Sequence, residues 1–326
     1  MDILWLNQSD VKSVLDMPST LDAVESGFRE HGLKKVQMPS KLYLYFDKHN
    51  GDLRTMPSFM EEKDIAGVKI VNVHPDNREK GLPTVMAVVI LNSTETGAPL
   101  AMMDGTYLTD MRTGAAGGVA AKYLARPDSK VVGMVGIGGQ ARTQLMALAE
   151  VMDIEEVKLT CRNISHCDSF EKEMASITNC DFTWKDNIKD VCDCDILVTT
   201  TPVRTPIIRS EWIHEGTHIN AIGADAMGKQ ELESSLLKRA KVIVDDIEQA
   251  SHSGEVNVPL STGDLLKSDI YAELGEVIAG VKPGRENDGD ITIFDSTGLA
   301  IQDLVTADLV YRKALEKGIG QKMNMF

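Results

Sequence analysis

Four cations in the first part of the chain stand where a surface charge has little reason to be. Lys69 interrupts the apolar strand pattern Ala66-Gly67-Val68-Lys69-Ile70-Val71. A lysine there is costly unless it is paired or faces a cleft. Desolvation also lowers its pKa toward the range of a proton-transfer group. Lys41 follows Met38-Pro39-Ser40, Arg54 lies in Gly51-Asp52-Leu53-Arg54-Thr55-Met56-Pro57, and Arg112 opens the small-residue run Arg112-Thr113-Gly114-Ala115-Ala116. Together the four could bind an anion, most simply a carboxylate. Each also has the plainer reading of an ordinary paired or solvated charge.

A second constellation has a different chemistry. Gly136-x-Gly138-x-x-Ala141 follows a short apolar run and opens a helical pattern at Gln140. This is the context of a dinucleotide-binding turn: Gly136 for the turn, Gly138 for close backbone approach to a pyrophosphate, Ala141 for helix–strand packing. A purely structural glycine turn is the competing reading. An NAD site usually ends its next strand with a carboxylate for the ribose hydroxyls. Here Thr160-Cys161-Arg162-Asn163 stands in that place, and Arg162 could meet a 2′-phosphate. The reading therefore tilts from NAD(H) toward NADP(H).

Polar residues end several later strand patterns, at Thr199-Thr200-Thr201-Pro202, Ala221-Ile222-Gly223-Ala224-Asp225 and Asp295-Ser296-Thr297-Gly298. Strand carboxyl ends line the ligand crevice of an open parallel sheet. Asp225 reads either as a general acid/base or ammonium partner, or as a helix cap. Ser296 and Thr297 read either as contacts to a nicotinamide amide or as N-caps. The seven histidines form no cluster, and His74, before a proline in a strand-end turn, reads either as structural or as lining the site.

These groups need elements to hold them. The spacing predicts a helix over residues 15–33 capped by Ser19 or Thr20, strands over 41–46, 65–73 and 84–92, and an Ala/Gly-rich helix over 109–124. After Pro127 the pattern becomes short apolar runs at 130–135, 156–160, 195–200, 218–222, 241–245 and 290–294, many separated by helical stretches. That alternation implies a parallel sheet with crossover helices. An amphipathic helix over 302–317 closes the chain.

With 326 residues, the chain should form about two domains. Lys plus Arg number 34 and Asp plus Glu 49, a net charge of −15. That balance excludes nucleic acid as a partner. The longest apolar run, residues 85–91, is too short to span a bilayer, so no membrane partner is expected. Five cysteines, an odd number, read as reduced thiols of a cytoplasmic protein. Cys192 and Cys194 supply too few ligands for a metal site, and no metal is expected.

The sequence resembles the ornithine cyclodeaminase/mu-crystallin family along essentially its whole length, nearest the archaeal alanine dehydrogenase branch. The resemblance rests on Gly67-Val68-Lys69-Ile70-Val71-Asn72-Val73-His74-Pro75, Gly81-Leu82-Pro83-Thr84-Val85 and Leu108-Thr109-Asp110-Met111-Arg112-Thr113-Gly114-Ala115-Ala116. It rests also on the stretches 218–225, Gly228-Lys229-Gln230-Glu231-Leu232 and 294–303. It implies an α/β fold, a Rossmann-type doubly wound parallel sheet over 126–298 plus an α+β substrate and dimerisation domain over 1–125 and 299–326. It implies a homodimer and a cofactor, NAD(H) or NADP(H). Carboxylate binding falls to Lys41, Arg54, Lys69 or Arg112, with Lys69 as proton donor and acceptor and Asp225 at the catalytic aspartate position. Cofactor contacts fall to Arg112, Gly136, Gly138, Gln140, Ala141, the loop Cys161-Arg162-Asn163, Ala221, Ile222, Gly223, Lys229 and Ser296. Cyclodeaminases look to carry an acidic residue at the place of Arg54, so Arg54 points away from ornithine and toward a short side chain. The expected activity is reversible oxidation of L-alanine to pyruvate and ammonium. The alternatives are ornithine cyclodeamination, ketimine reduction, and a non-enzymatic NADP(H)-dependent ligand-binding protein.

Overall fold

The structure, a computed structural model, describes residues 2–160 and 164–324, the side chains of 164–166 excepted. The first part of the chain runs β1 (Asp2–Leu6), α1 (Gln8–Val14), α2 (Met17–Gly32), β2 (Val36–Gln37), β3 (Leu42–Phe46), β4 (Gly51–Met60), β5 (Ile65–Val73), β6 (Val85–Asn92), β7 (Pro99–Asp104) and α3 (Thr106–Leu124). It continues β8 (Val131–Val135), α4 (Gly139–Val151), β9 (Glu156–Thr160), α5 (Ile164–Ala175), β10 (Asp181–Trp184), α6 (Ile188–Val191), β11 (Ile196–Thr199), β12 (His218–Ala221), α7 (Ser234–Arg239) and β13 (Lys241–Val244). It ends α8 (Ile247–Ser253), α9 (Asn257–Thr262), β14 (Ile270–Glu273), α10 (Leu274–Ile278), β15 (Thr292–Asp295), α11 (Ala300–Lys317) and β16 (Gln321–Asn324).

The chain divides into two compact units, residues 1–112 with 299–326, and residues 113–298. The first boundary therefore falls before residue 113 rather than at 125. The reason is how α3 packs from Thr113 onward. A Cβ at Gly114 would lie 2.3 Å from the Thr143 carbonyl oxygen, so only glycine allows this approach to α4. Gln144 donates to the Thr113 carbonyl (2.8 Å), Asn220 to that of Gly117 (3.1 Å), and Thr292 to that of Leu124 (2.9 Å).

The first unit is built on a mixed sheet ordered β16-β1-β7-β6-β5-β4-β2, with β3 on β4. Its inner face carries Met56, Met60, Val71, Ala87, Val89, Leu91, Ala101 and Met103, all buried. Against this face lies α11, which also packs on α2. Ser58 on that face donates to the Ala300 carbonyl (3.1 Å) at the start of α11. The helix expected over 15–33 begins instead at Met17. Asp16, not Ser19 or Thr20, is its cap, accepting from the Ser19 amide (2.9 Å), and Pro18 suits the first turn.

The second unit is an all-parallel sheet ordered β10-β9-β8-β11-β12-β15-β13-β14. The order reverses direction between β8 and β11, the switch point of a Rossmann-type doubly wound sheet. Strands β8, β11, β12 and β15 are almost wholly buried, as parallel strands covered on both faces must be.

Among the described residues, no helix is long and apolar enough to cross a membrane. Cys180, Cys192 and Cys194 are free, while Cys167 is disulfide-bonded, which corrects the expectation of five reduced thiols.

Candidate active site

In the first unit the four predicted cations behave differently from one another. Lys69 points to the inner face of the sheet, in register between Met56 of β4 and Val89 of β6. It is 2% exposed. Its Nζ lies 2.7 Å from Asp303 Oδ2 and 3.4 Å from Thr109 Oγ1. Arg112, also buried, donates from Nε to Asp303 Oδ1 (2.8 Å) and from Nη1 to Gln302 Oε1 (2.9 Å). One carboxylate of α11 thus bridges a strand lysine and a helix arginine. Two cations and one anion leave a net positive charge in an apolar wall, which a substrate carboxylate would neutralise.

Burial is the main force on the Lys69 ammonium and pushes its pKa down to about 7. The Arg112 charge lowers it further, and the Asp303 carboxylate works against both. Lys41 is near enough to add a small lowering push of its own. A lysine poised near neutrality can both give and take a proton.

Arg54 is not the bare cation that the sequence suggested. Its Nε and Nη2 donate to the two Asp52 oxygens (2.9 and 3.0 Å), one pleat away on the same strand face. Its guanidinium also lies over the Tyr43 ring, 5.2 Å from the centroid. The Arg54–Asp52 pair is close to neutral, so it neither repels a distal ammonium strongly nor offers one a carboxylate. His74 is structural: it stacks on Phe46 and fills the space above Gly51.

Asp303 and Gln302 are functional candidates that residue-level reading missed. A signal existed. Asp303 shares a helical face with the buried Ala307, Val310 and Ala314, and an acidic residue on the core face of an amphipathic helix needs a partner.

In the second unit the glycine turn closes β8 onto α4 at the switch point. Gly136 has φ 104°, a left-handed conformation, and a Cβ there would lie 2.6 Å from Thr200 Oγ1. Gly138 is the N-cap of α4, and a Cβ on Gly138 or Gly139 would meet nothing within 4 Å. Ala141 is fully buried against the sheet, and Gln140 lies in the first helical turn. The loop thus leaves open space beside helix N–H groups, as a pyrophosphate requires. Cys161, Arg162 and Asn163 lie outside the described residues.

At the end of β12, Ala221 and Ile222 are buried and Gly223 is held against the Thr201 carbonyl. Asp225 does not cap a helix, because the next one starts at Ser234. It pairs instead with Lys229. Ser296 and Thr297 are likewise not caps of α11, whose N-cap is Leu299. Thr297 is held by Asp245, from both its amide (2.6 Å) and its hydroxyl (3.0 Å). Ser296 and Thr200 keep buried hydroxyls with no hydrogen-bond partner among the described residues. Such orphaned hydroxyls at strand carboxyl ends fit a polar ligand in the crevice.

The open space at Gly138 gives a clean test. Its φ of −76° suits any residue. Gly138→Val should leave the thermal midpoint within about 2 °C while weakening dinucleotide binding at least tenfold, read by NADH fluorescence titration. Unchanged affinity would remove the loop from the site.

Comparison with known proteins bears on these arrangements. The model of the ornithine cyclodeaminase/mu-crystallin family matches residues 1–318. An alanine dehydrogenase of Archaeoglobus fulgidus is 52% identical over 333 residues, covering 100% of this chain and 99% of that protein. A solved archaeal alanine dehydrogenase dimer with bound NAD superposes with a TM-score of 0.96 at 52% identity, each chain covered completely. The Delta(1)-pyrroline-2-carboxylate reductase of Thermococcus litoralis, solved with NADH and L-proline, gives 0.95 at 42% identity, covering 98% of this chain and 100% of that one.

Proposed function

Because the chain belongs to the ornithine cyclodeaminase/mu-crystallin family, we propose that it is an NAD(P)-dependent L-alanine dehydrogenase, converting L-alanine and water reversibly to pyruvate and ammonium. The observation that carries this reading is the buried Lys69–Asp303–Arg112 group, a lysine poised near neutrality beside a second buried cation. The 52% identity to an alanine dehydrogenase supports the substrate.

The Gly136–Ala141 turn, the 221–223 segment, Lys229 and Ser296 of the second unit would hold the dinucleotide, which supplies the hydride acceptor when bound. Arg112, with Lys41, orients the substrate carboxylate, while Arg54 is held by Asp52. Lys69 accepts a proton from the water that adds to the imino acid, and returns one as ammonia leaves. Asp225, paired with Lys229, assists through water. The missing carboxylate after β9 supports NADP(H), and the NAD-bound relative supports NAD(H).

A spectrophotometric screen tests the proposal with both cofactors. Alanine-dependent NAD(P)H formation is the expected result. Reduction of pyrroline-2-carboxylate with no alanine turnover would favour the imino-acid reductase reading, which the 42% identical relative supports. Proline formed from ornithine without net NADH would favour cyclodeamination, and cofactor binding without any turnover would favour a ligand-binding protein.

We place a homodimer in the same proposal. The outer face of the first sheet carries the cross-strand row Pro57–Val68–Ile90–Met102, beside Ile70 and Val88, all at least partly exposed in the single chain. Leu42 and Leu44 extend it at 56% and 50% exposure. An apolar face this continuous supports burial against a second copy. Sedimentation equilibrium should give twice 35.7 kDa. Ile90→Asp should shift the equilibrium to monomer, and a dimer of unchanged affinity would refute this face. A cytoplasmic location belongs to the same reading; the free thiols of Cys180, Cys192 and Cys194 support it and the bonded Cys167 weighs against it.

A further inference from the structure

We propose that Glu231 is a positioning residue, whose carboxylate holds the backbone of the dinucleotide rim at Thr201 and Gly223. This rests on the reading of the second unit as the cofactor site. Glu231 is fully buried. Its Oε1 accepts from the Thr201 amide (2.7 Å) and the Thr201 hydroxyl (2.6 Å). Its Oε2 accepts from the Gly223 amide (2.8 Å) and the Thr199 hydroxyl (2.7 Å). One acid therefore joins the carboxyl ends of two neighbouring strands, β11 and β12.

The segment bearing Glu231 is itself fixed. The buried Glu255 carboxylate accepts from the amides of Glu231 (2.9 and 3.0 Å) and Leu232 (2.6 Å). The grip reaches the glycine turn through close backbone contact. A Cβ at Gly223 would lie 2.2 Å from the Thr201 carbonyl oxygen and 2.6 Å from Glu231 Oε2. A Cβ at Gly136 would lie 3.2 Å from both the Thr200 carbonyl oxygen and Thr201 Cγ2. The turn after β8 and the ends of β11 and β12 interlock around this carboxylate.

The geometry has a consequence for recognition. In a trans peptide unit the N–H and C=O point in opposite directions. With the Thr201 and Gly223 amides turned to Glu231, the Thr200 and Ile222 carbonyls point away from it. They stand as fixed acceptors for the donors of a ligand, such as a carboxamide or a sugar hydroxyl. A hydroxyl can reverse its role, but a backbone amide cannot. Each Glu231 oxygen carries one such amide, so any replacement of an oxygen by NH2 must break one strand end loose.

The test is Glu231→Gln, with Thr199→Val as comparison. Glu231→Gln should weaken NADH binding at least tenfold by fluorescence titration, with KM for the amino acid within twofold at saturating cofactor. Thr199→Val, which removes a side-chain donor and no amide, should change the affinity less than threefold. Equal NADH affinity in Glu231→Gln and wild type would overturn the proposal, as would equal losses in both variants, which would mean general loosening. If Glu231→Gln does not fold, hydrogen exchange of the wild type decides. Thr201 and Gly223 amides protected before NADH is added support the proposal, and protection appearing only with NADH overturns it. A wild type that binds neither NADH nor NADPH would instead remove the cofactor reading beneath it.

Discussion

Lys69→Met is expected to reduce alanine-dependent turnover roughly 10³-fold, the scale of a positioned proton-transfer group. Affinity for NADH should stay within about threefold, because none of the glycine-turn geometry depends on this side chain. Methionine keeps the length and apolar stem, and Asp303 retains Arg112 as its partner. The thermal midpoint should therefore not fall at neutral pH. Turnover within tenfold of wild type would refute the catalytic role.

The same lysine sets a pH dependence. Amino-acid oxidation needs the neutral amine as base, so kcat/KM should rise with pH through a limb near 7. Asp110, pushed up to about 6 by burial against the lowering charge of Arg112, lies on the acid side of that limb. The effect on stability follows from linkage. The folded-state pKa, about 7, lies below the ordinary 10.5. Between those values the unfolded chain binds one more proton than the folded one, so this group's contribution to stability rises with pH across the window. Lys69→Met should lose that slope. A slope unchanged in the variant would place the titration elsewhere.

Asp303→Asn is the second large effect. It leaves Lys69 and Arg112 buried with no carboxylate between them. Breaking a buried pair costs about 3–5 kcal/mol when the remaining charge cannot escape. Part of that is avoided here because Lys69 can shed its proton. The acid limb should accordingly move below pH 7, since Asp303 is what raises the lysine against burial and Arg112. The positive charge of the pocket increases, so KM for the amino acid should not rise and the loss should fall on kcat. A limb that stays near 7 would show that the Asp303 carboxylate does not tune Lys69.

How much of this was legible varies with the range of the interaction. The Gly136–Ala141 turn was readable because its requirements are local: a positive φ, a helix N-terminus and a small residue against a strand. Lys69 was readable as a site because a charge within an apolar strand breaks its own pattern. Ser296 and Asp225 remained ambiguous between caps and ligands, and only the observed helix starts removed the cap reading. The start of α2 was read two residues early because Leu15 is apolar and buried like the helix face that follows Met17, and α1 was not read at all. Strands β1 and β16, from opposite chain ends, pair Asp2 with Asn324, which no local pattern specifies.

The sequence by itself determined the kinds of chemistry present: a phosphate-cradling turn, a misplaced lysine, and cations enough for a carboxylate in a chain of charge −15. Those follow from residue type and short-range backbone geometry. Tertiary structure decided which charge meets which. It tied Arg54 to Asp52 through two hydrogen bonds, brought Asp303 of the last helix between Lys69 and Arg112, and set Glu231 behind two strand ends. Charge interactions depend on separation and desolvation, and both are properties of the folded arrangement. A lysine becomes a titrating group near neutrality only after the sheet has buried it and α11 has supplied its partner.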